Sequence, residues 1–361
     1  MPSDLQHIPQ GQGNSRDKGR SQSARYFASV VILVSIIICP GYAEEPDDVQ
    51  PAPSTRLDQS HRYLSNRVLR LAESINNAIT ATFRKEQAHR SEMTNRFYGN
   101  LLTAYQVEGS HIRVTPRLII TEGHDNEYKL DFSARLRLPD LSKRLRLYAD
   151  SYDTDYDAME DIFSARYRRK LADERVEGPT AGLTYFFRDR MTQKLSLSTG
   201  LRFNPEPSPK IRLRGRLRKS RDPWRADVAQ SVFWSERDGF GEKTVLTLER
   251  SSGDMHLFRL NASLVWSELS HGIDWGQYAS YYARFSSRRS AALKLGVRGY
   301  SHPSWITDQY LVRVPFRRRV HRDWLFLEIE PGADFFREDN FQATLLIHFR
   351  LEIVFGSFSV L

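Results

Sequence analysis

Four arginines stand at alternate places in SPKIRLRGRLR, residues 208–218: Arg212, Arg214, Arg216 and Arg218. Between them lie Ile211, Leu213, Gly215 and Leu217. A spacing of two on an extended chain puts all four guanidinium groups on one face. Such a row attracts anions, as rings of basic side chains do in a pore. It also suits arginine–carboxylate ladders that fill a closed interior by bidentate pairing. The same alternation places Arg135, Arg137, Arg144, Arg146, Arg202, Lys294, Arg298, Arg313, Arg317 and Arg350 on the face opposite the apolar residues of their segments. Asp131, Asp150, Glu249, Glu328, Glu330 and Glu352 share that face and offset part of the charge.

Other chemistry is sparse. Asp153, Asp155 and Asp157 alternate in DSYDTDYDAMED and resemble the start of a calcium loop. Ala158 stands where the loop needs glycine and Ser164 where it needs glutamate, so an EF-hand is excluded and a solvated acidic loop is expected. The basic run RRRVHR, Arg317 to Arg322, reads as a solvated turn that could touch anionic headgroups. No G-x-S-x-G or H-E-x-x-H motif occurs. His348 lies in a strand centre and points inward with Arg350 and Glu352, with no serine in register. No catalytic residue, metal site or cofactor is expected.

The elements that carry these residues have period two. After about residue 94, alternating runs separated by turn residues continue to the C-terminus. Strands are expected near 127–138, 142–153, 179–189, 192–204, 208–218, 223–235, 242–251, 255–267, 274–287, 290–300, 306–318, 322–331 and 341–355, with two earlier candidates at 94–107 and 110–121. Many last ten to fourteen residues, and a tilted strand needs about 9–11 to cross a bilayer. In 341–356, Leu345, Ile347, Phe349, Leu351, Ile353 and Phe355 form one face; His348, Arg350 and Glu352 lie on the other. So many strands of one design, each with one apolar and one charged face, point to an all-β transmembrane antiparallel barrel, apolar outside and polar within. A lipocalin-like or sandwich fold would need a second apolar layer.

Six tryptophans mark strand ends: Trp224, Trp275, Trp305 and Trp324 near starts, Trp234 and Trp266 near finishes. They are expected at the membrane interface, where an apolar ring and a polar N–H are both satisfied. Taking the C-terminus as periplasmic, 139–142, 189–191, 219–222, 251–254, 287–289 and 319–322 become short inner turns. The segments 154–178, 236–241, 267–273 and 332–340 become outer loops. This gives twelve strands from 142 onward, and 94–138 must add an even number. Fourteen strands are expected, with twelve or sixteen as alternatives and one of the three early candidates in error.

Ahead of the barrel, Arg16, Lys18, Arg20 and Arg25 precede the apolar run FASVVILVSIII, and Gly41-Tyr42-Ala43 fits a cleavage site. Residues 1–43 are read as a signal peptide, with a retained anchor as the alternative. Losing four basic and two acidic residues lowers the formal charge from +9 to +7. Cys39, the only cysteine, leaves with the signal, so no disulfide or thiolate site remains. An exported basic chain of pI about 9.6 suits anionic lipid or an anionic solute better than nucleic acid. Residues 44–61 read as a flexible leader, 62–93 as a periplasmic amphipathic helix, 94–356 as the barrel and 357–361 as a tail. Leu64, Val68, Leu71, Ile75 and Ile79 form the helix stripe, which could pack in the periplasm, plug the barrel or lie near its mouth.

The segments RRRVHRDWLFLEIEPGADFFREDNFQATLLIHFRLEIVFG (317–356), SVFWSERDGFGEKTVLTLER (231–250), LVWSELSHGIDWGQ (264–277) and LPDLSKRLRL (138–147) carry a pattern that resembles an uncharacterised family of proteobacterial exported barrel proteins. The resemblance spans roughly residues 62–356 and implies no catalytic residue. The terminal strand, with Phe355 near its end, is similar to those read by the barrel assembly machinery, though the chain runs on to Leu361. The expected setting is the Gram-negative outer membrane, with its lipids and lipopolysaccharide as partners. The expected function is passive passage of small anionic solutes. A non-conducting envelope protein is the alternative, and an outer-membrane lipid hydrolase a reserve.

Overall fold

The structure, a computed structural model, describes residues 55–80, 110–137, 144–151, 178–204, 206–236, 239–268, 270–321 and 324–356. Among the described residues, one helix, α1 (Arg56–Thr80), precedes fifteen strand segments. They are β1 (His111–Thr121), β2 (Glu127–Arg137), β3 (Leu145–Asp150), β4 (Thr180–Asp189), β5 (Gln193–Asn204), β6 (Glu206–Arg221), β7 (Trp224–Ser235) and β8 (Gly239–Ser252). There follow β9 (His256–Ser267), β10 (Ile273–Ser286), β11 (Arg289–Tyr300), β12 (Ile306–Arg313), β13 (Phe316–His321), β14 (Leu325–Phe336) and β15 (Ala343–Gly356).

Apart from β12 and β13, which do not pair with each other, each strand pairs antiparallel with its neighbours in sequence, and β1 pairs with β15 from His111↔Gly356 to Thr121↔Leu346, which closes the sheet. The segments β12 and β13 are two halves of one stave, both lying between β11 and β14. The barrel therefore has fourteen staves, the expected number. The candidate strand 94–107 lies outside the described residues, and the ring closes without it because β1 already has two partners.

The break between β12 and β13 has a local cause. Pro315 and Pro331 sit on adjacent staves, and neither can donate to the ladder. Val314 N donates to the Pro331 carbonyl at 2.9 Å and Ala292 N to the Pro315 carbonyl at 2.9 Å, so the acceptors on both prolines remain in use. For the same reason Pro331-Gly332 does not end β14, which continues to Phe336 rather than stopping at 331; the loop expected from 332 is reduced to a 3-10 turn, Arg337–Asp339, and its flanks.

Burial alternates as the sequence pattern requires, and the apolar side is the exposed one. On β2, Tyr128 and Leu130 are 76% and 66% exposed, whereas Lys129 and Asp131, which alternate with them, are half-buried. Ile211, Leu213 and Leu217 of β6 are exposed, and the arginines between them half-buried. A closed sheet whose outer wall is apolar has no unpaired edge to present to hydrocarbon. Leu213 lies halfway along β6 on this wall. Leu213→Arg is expected to cost about 2–4 kcal/mol in lipid, the penalty for a basic residue at the bilayer midplane, whereas Leu213→Ile is expected to be near neutral. The urea midpoint of tryptophan fluorescence in vesicles measures both.

Helix α1 begins at Arg56, six residues before the start expected at residue 62 and inside the stretch read as a flexible leader. A capping box explains the early start. Thr55 N donates to Asp58 Oδ2 at 3.0 Å, and Asp58 N donates to Thr55 Oγ1 at 3.2 Å. The helix neither plugs the barrel nor stands apart from it where its side chains are described. Val68 packs with Leu136, Ile112, Leu147 and Phe355. These four partners occupy outward positions of β2, β1, β3 and β15: Ile112 is in register with Phe355 and Ala134, and Leu136 with Leu147. Leu136 shares its face with Tyr128 and Leu130 yet is only 8% exposed, because the helix covers it.

At the other end of the described face, His61 stacks on Trp324 with ring centroids 3.9 Å apart, and its Nε2–H donates to the Val354 carbonyl at 2.8 Å. His321 Nε2 meets Asp58 Oδ1 at 2.7 Å. The contacts thus pass from the β13–β14 turn at Asp58 to β2 and β3 at Val68. Ten residues of helix rise about 15 Å, about three inter-strand spacings, so α1 runs along the rim around the barrel.

Burial holds His61 below the usual histidine value of 6.5, and the nearby His321 acts the same way; the Val354 carbonyl and the Asp58 carboxylate oppose them. The docked state thus favours the neutral ring, so docking is strongest above 6.5 and weakens as pH falls through the lowered value. A spin label at Tyr63→Cys, on the exposed side, is expected to gain mobility below that point, and His61→Gln to remove the pH dependence. Unchanged mobility across the range contradicts this.

Candidate functional site

The inward face carries the charged residues, and its two sides differ. One side comprises β11 to β15 with β1. Register puts Arg317 opposite Glu328, Glu328 opposite Arg350, and Glu330 opposite His348. Side chains directly across a pair of strands lie within contact distance. Lys294 Nζ meets Glu330 Oε2 at 2.8 Å, and Arg313 Nη2 meets Asp334 Oδ1 at 2.6 Å while its Nη1 donates to the Ala333 carbonyl at 3.0 Å. Arg350 Nη1 meets Glu328 Oε1 at 2.7 Å, and Arg317 reaches both Glu328 (3.3 Å) and Glu352 (3.2 Å). Arg117 pairs with Asp131. Gln309, Arg313 and Asp334 have no solvent exposure. His348 belongs to the Glu330 cluster, with Nδ1 3.6 Å from Glu330 Oε1, rather than pairing with Glu352, whose partners are Arg317 and Arg113.

The opposite side, β5 to β7, is richer in basic residues. Arg202 and Lys210 are buried, and Arg212, Arg214, Arg216 and Arg218 follow at alternate places down β6. Arg216 Nε and Arg218 Nε both donate to Asp227 Oδ1 at 2.9 Å. The positions in register with Arg212 are Ser198 and Phe233, and those with Arg214 are Ser196 and Ser231. These in-register serines are shorter than the glutamates that stand opposite the basic residues of the facing side.

Between these sides, Arg135 meets Asp150 through two parallel contacts, 2.8 and 2.9 Å, and Arg146 Nη2 meets Asp189 Oδ2 at 2.5 Å with its guanidinium 4.2 Å from the Phe186 ring centre. Arg137 is half-buried at the end of β2, and Arg298 is buried opposite Gln309. Arg144 departs from expectation. The strand starts at Leu145, so Arg144 is an exposed rim residue, its carbonyl accepting from Phe186 N at 2.8 Å. The acidic segment beyond Ser151 and Arg322 of the basic run lie outside the described residues. No group of metal-ligating side chains occurs among the described residues.

Several inward basic residues were not singled out in advance: Arg113, Arg117, Lys210, Lys243 and Arg259. Arg259 is buried and its Nη2 meets Glu249 Oε1 at 2.5 Å. Alternation alone could have found it, since Leu257, Arg259, Asn261 and Ser263 face inward between exposed Phe258, Leu260 and Leu264.

The tryptophans lie at stave ends. Trp224 and Trp324 are at the rim that carries α1, and Trp234, Trp266, Trp275 and Trp305 are at the other. Trp224, Trp266 and Trp305 are exposed; Trp324 is buried beneath His61.

No family model matches the chain, and no curated protein does. The resemblance to a proteobacterial barrel family therefore rests on the quoted segments. Among solved structures, the chain is similar to the outer-membrane channel DcaP of Acinetobacter baumannii, at 10% identity and TM-score 0.41 over 68% of this chain and 96% of that one. It is similar to OccK10 (OpdN) of Pseudomonas aeruginosa, at 9% identity and TM-score 0.42 over 68% and 98%. It is also similar to an outer membrane protein of Vibrio cholerae, OmpT with loop L8 deleted, at 10% identity and TM-score 0.40 over 68% and 98%.

Proposed function

We propose that the protein is an outer-membrane barrel that lets small anionic solutes pass along the basic side of its lumen. The arginine ladder of β6, flanked by Arg202 and Lys210, supports this most directly, because alternation sets four basic side chains in a row on one inward face. In the same reading, residues 1–43 direct export and are cleaved, β15 is read by the assembly machinery, and the apolar outer wall meets lipid and lipopolysaccharide. Nucleic acid has no part, and no catalytic step is assigned.

Recording from the purified mature protein in a planar bilayer tests the reading. Discrete current steps with a reversal potential on the anion side support it. A second reading, a non-conducting envelope protein, is favoured by the wholly buried Gln309, Arg313 and Asp334. A folded barrel that gives no steps supports that second reading and overturns the first.

A further inference from the structure

Helix α1 presents three sides. At about 100° per residue, Asp58, His61, Ser65 and Val68 share one side, and all four are buried against the rim. Leu57 and Leu64 lie together on an adjoining side and are 52% and 46% exposed. Arg56, Tyr63, Arg67 and Arg70 point away from the barrel, with Arg62 between them and the buried side, and all five are exposed. Asp58, the acidic residue of the first turn, is turned inward to His321. The outer side therefore has four exposed positive charges. Arg67 donates to Tyr63 Oη at 2.6 Å, and Arg70 donates to the Asn66 carbonyl at 3.4 Å; both contacts stay within the helix and leave its charge uncompensated by them.

A helix that follows the rim of a membrane-spanning barrel on its outer wall lies in the plane of the bilayer interface. Exposed leucines on one side and arginines on another are the two attractions that hold helices there. The neighbouring wall continues both: Leu130 and Phe132 of β2 are exposed and apolar, and Arg318 of β13 faces outward and exposed at the same rim. We infer that α1 and this rim form a binding surface for anionic glycerophospholipids, with arginines at positions 56, 62, 67 and 70 on the headgroup phosphates and Leu57 and Leu64 beside the acyl chains. The inference rests on the membrane reading above.

The test uses the mature protein folded into phosphatidylcholine bilayers, with trace spin-labelled phosphatidylglycerol or spin-labelled phosphatidylcholine. The charged probe is expected to associate about fivefold more strongly, the value of about one basic contact at an anionic lipid surface. The preference should fall toward parity in R56Q/R62Q/R67Q/R70Q and in high salt. Equal association of the two probes, or a preference that the four substitutions leave unchanged, overturns the inference. A bimane at Leu64→Cys in the mature chain, which holds no other cysteine, gives a second readout. Quenching by lipids labelled near the headgroup supports interfacial placement, and quenching only by water-soluble agents overturns it. Failure of the membrane reading looks different, since the protein would then not enter the bilayer.

Discussion

Replacing Arg313 with alanine is expected to destabilise the barrel by about 3–5 kcal/mol, the cost of removing one partner from a buried ion pair. Arg313 is wholly buried, its Nη2 is 2.6 Å from Asp334 Oδ1, and its Nε is 3.8 Å from Glu330 Oε1. Both carboxylates are almost completely buried. Truncation takes a guanidinium from each, and water has little room to replace it. Domain stabilities are about 5–15 kcal/mol, so the loss is a large fraction of the whole. Lys294 still holds Glu330 at 2.8 Å, which places most of the damage at Asp334. The double change R313M/D334L removes both charges and fills the space, and should recover most of the stability. Urea titration of the folded barrel in vesicles measures both variants. A single-variant cost below about 1 kcal/mol, the range of exposed pairs, means that this side of the lumen is wet rather than packed.

Reversing the charge of two ladder arginines, R212E/R214E, is expected to change the sign of ion selectivity. Both side chains face the lumen at mid-stave, with Ser198 and Ser196 beside them. In a tenfold salt gradient an ideally selective pore has a reversal potential of about 60 mV, since tenfold is 1.4 kcal/mol and 100 mV is 2.3 kcal/mol per charge. The native protein should lie on the anion side of zero, the neutral R212Q/R214Q nearer zero, and the reversed variant on the cation side. The neutral variant keeps the test open if the acidic one does not fold. An unchanged reversal potential in a conducting R212Q/R214Q protein removes the ladder from the path.

The barrel was legible because its signal is repeated and local. Each stave carries its own alternation, and β6 states it most clearly, with arginine and aliphatic residues changing places at every step. Parity of the strand number required one of the three early candidates to be wrong without saying which, and the described strands close through β1 on β15 without 94–107, which lies outside the described residues. Pro331-Gly332 misled because turn residues in sequence say nothing of a partner strand; Pro315 on the next stave makes the break a shared one.

The helix was legible as a helix but not in its docking. Of the apolar stripe, Val68 is buried and Leu64 exposed, and Asp58, His61 and Ser65 are buried with Val68 because the rim offers the Val354 carbonyl, His321 and Trp324 as partners. Val354 lies 293 residues from His61, a distance over which periodicity carries no information. Within the lumen, the charge of each wall could be read from alternation, but not the pairing of Arg313 with Asp334, which depends on the register of β12 against β14.

The most direct test asks what the outer leucines touch. The purified mature chain, diluted from denaturant into phospholipid vesicles or into plain buffer, is compared on unheated and boiled gels. The expected result is a compact, faster-migrating form that appears only with lipid or detergent and reverts on boiling. A folded, freely soluble monomer in plain buffer would contradict the assignment of the apolar wall to hydrocarbon, and with it the proposed conduit.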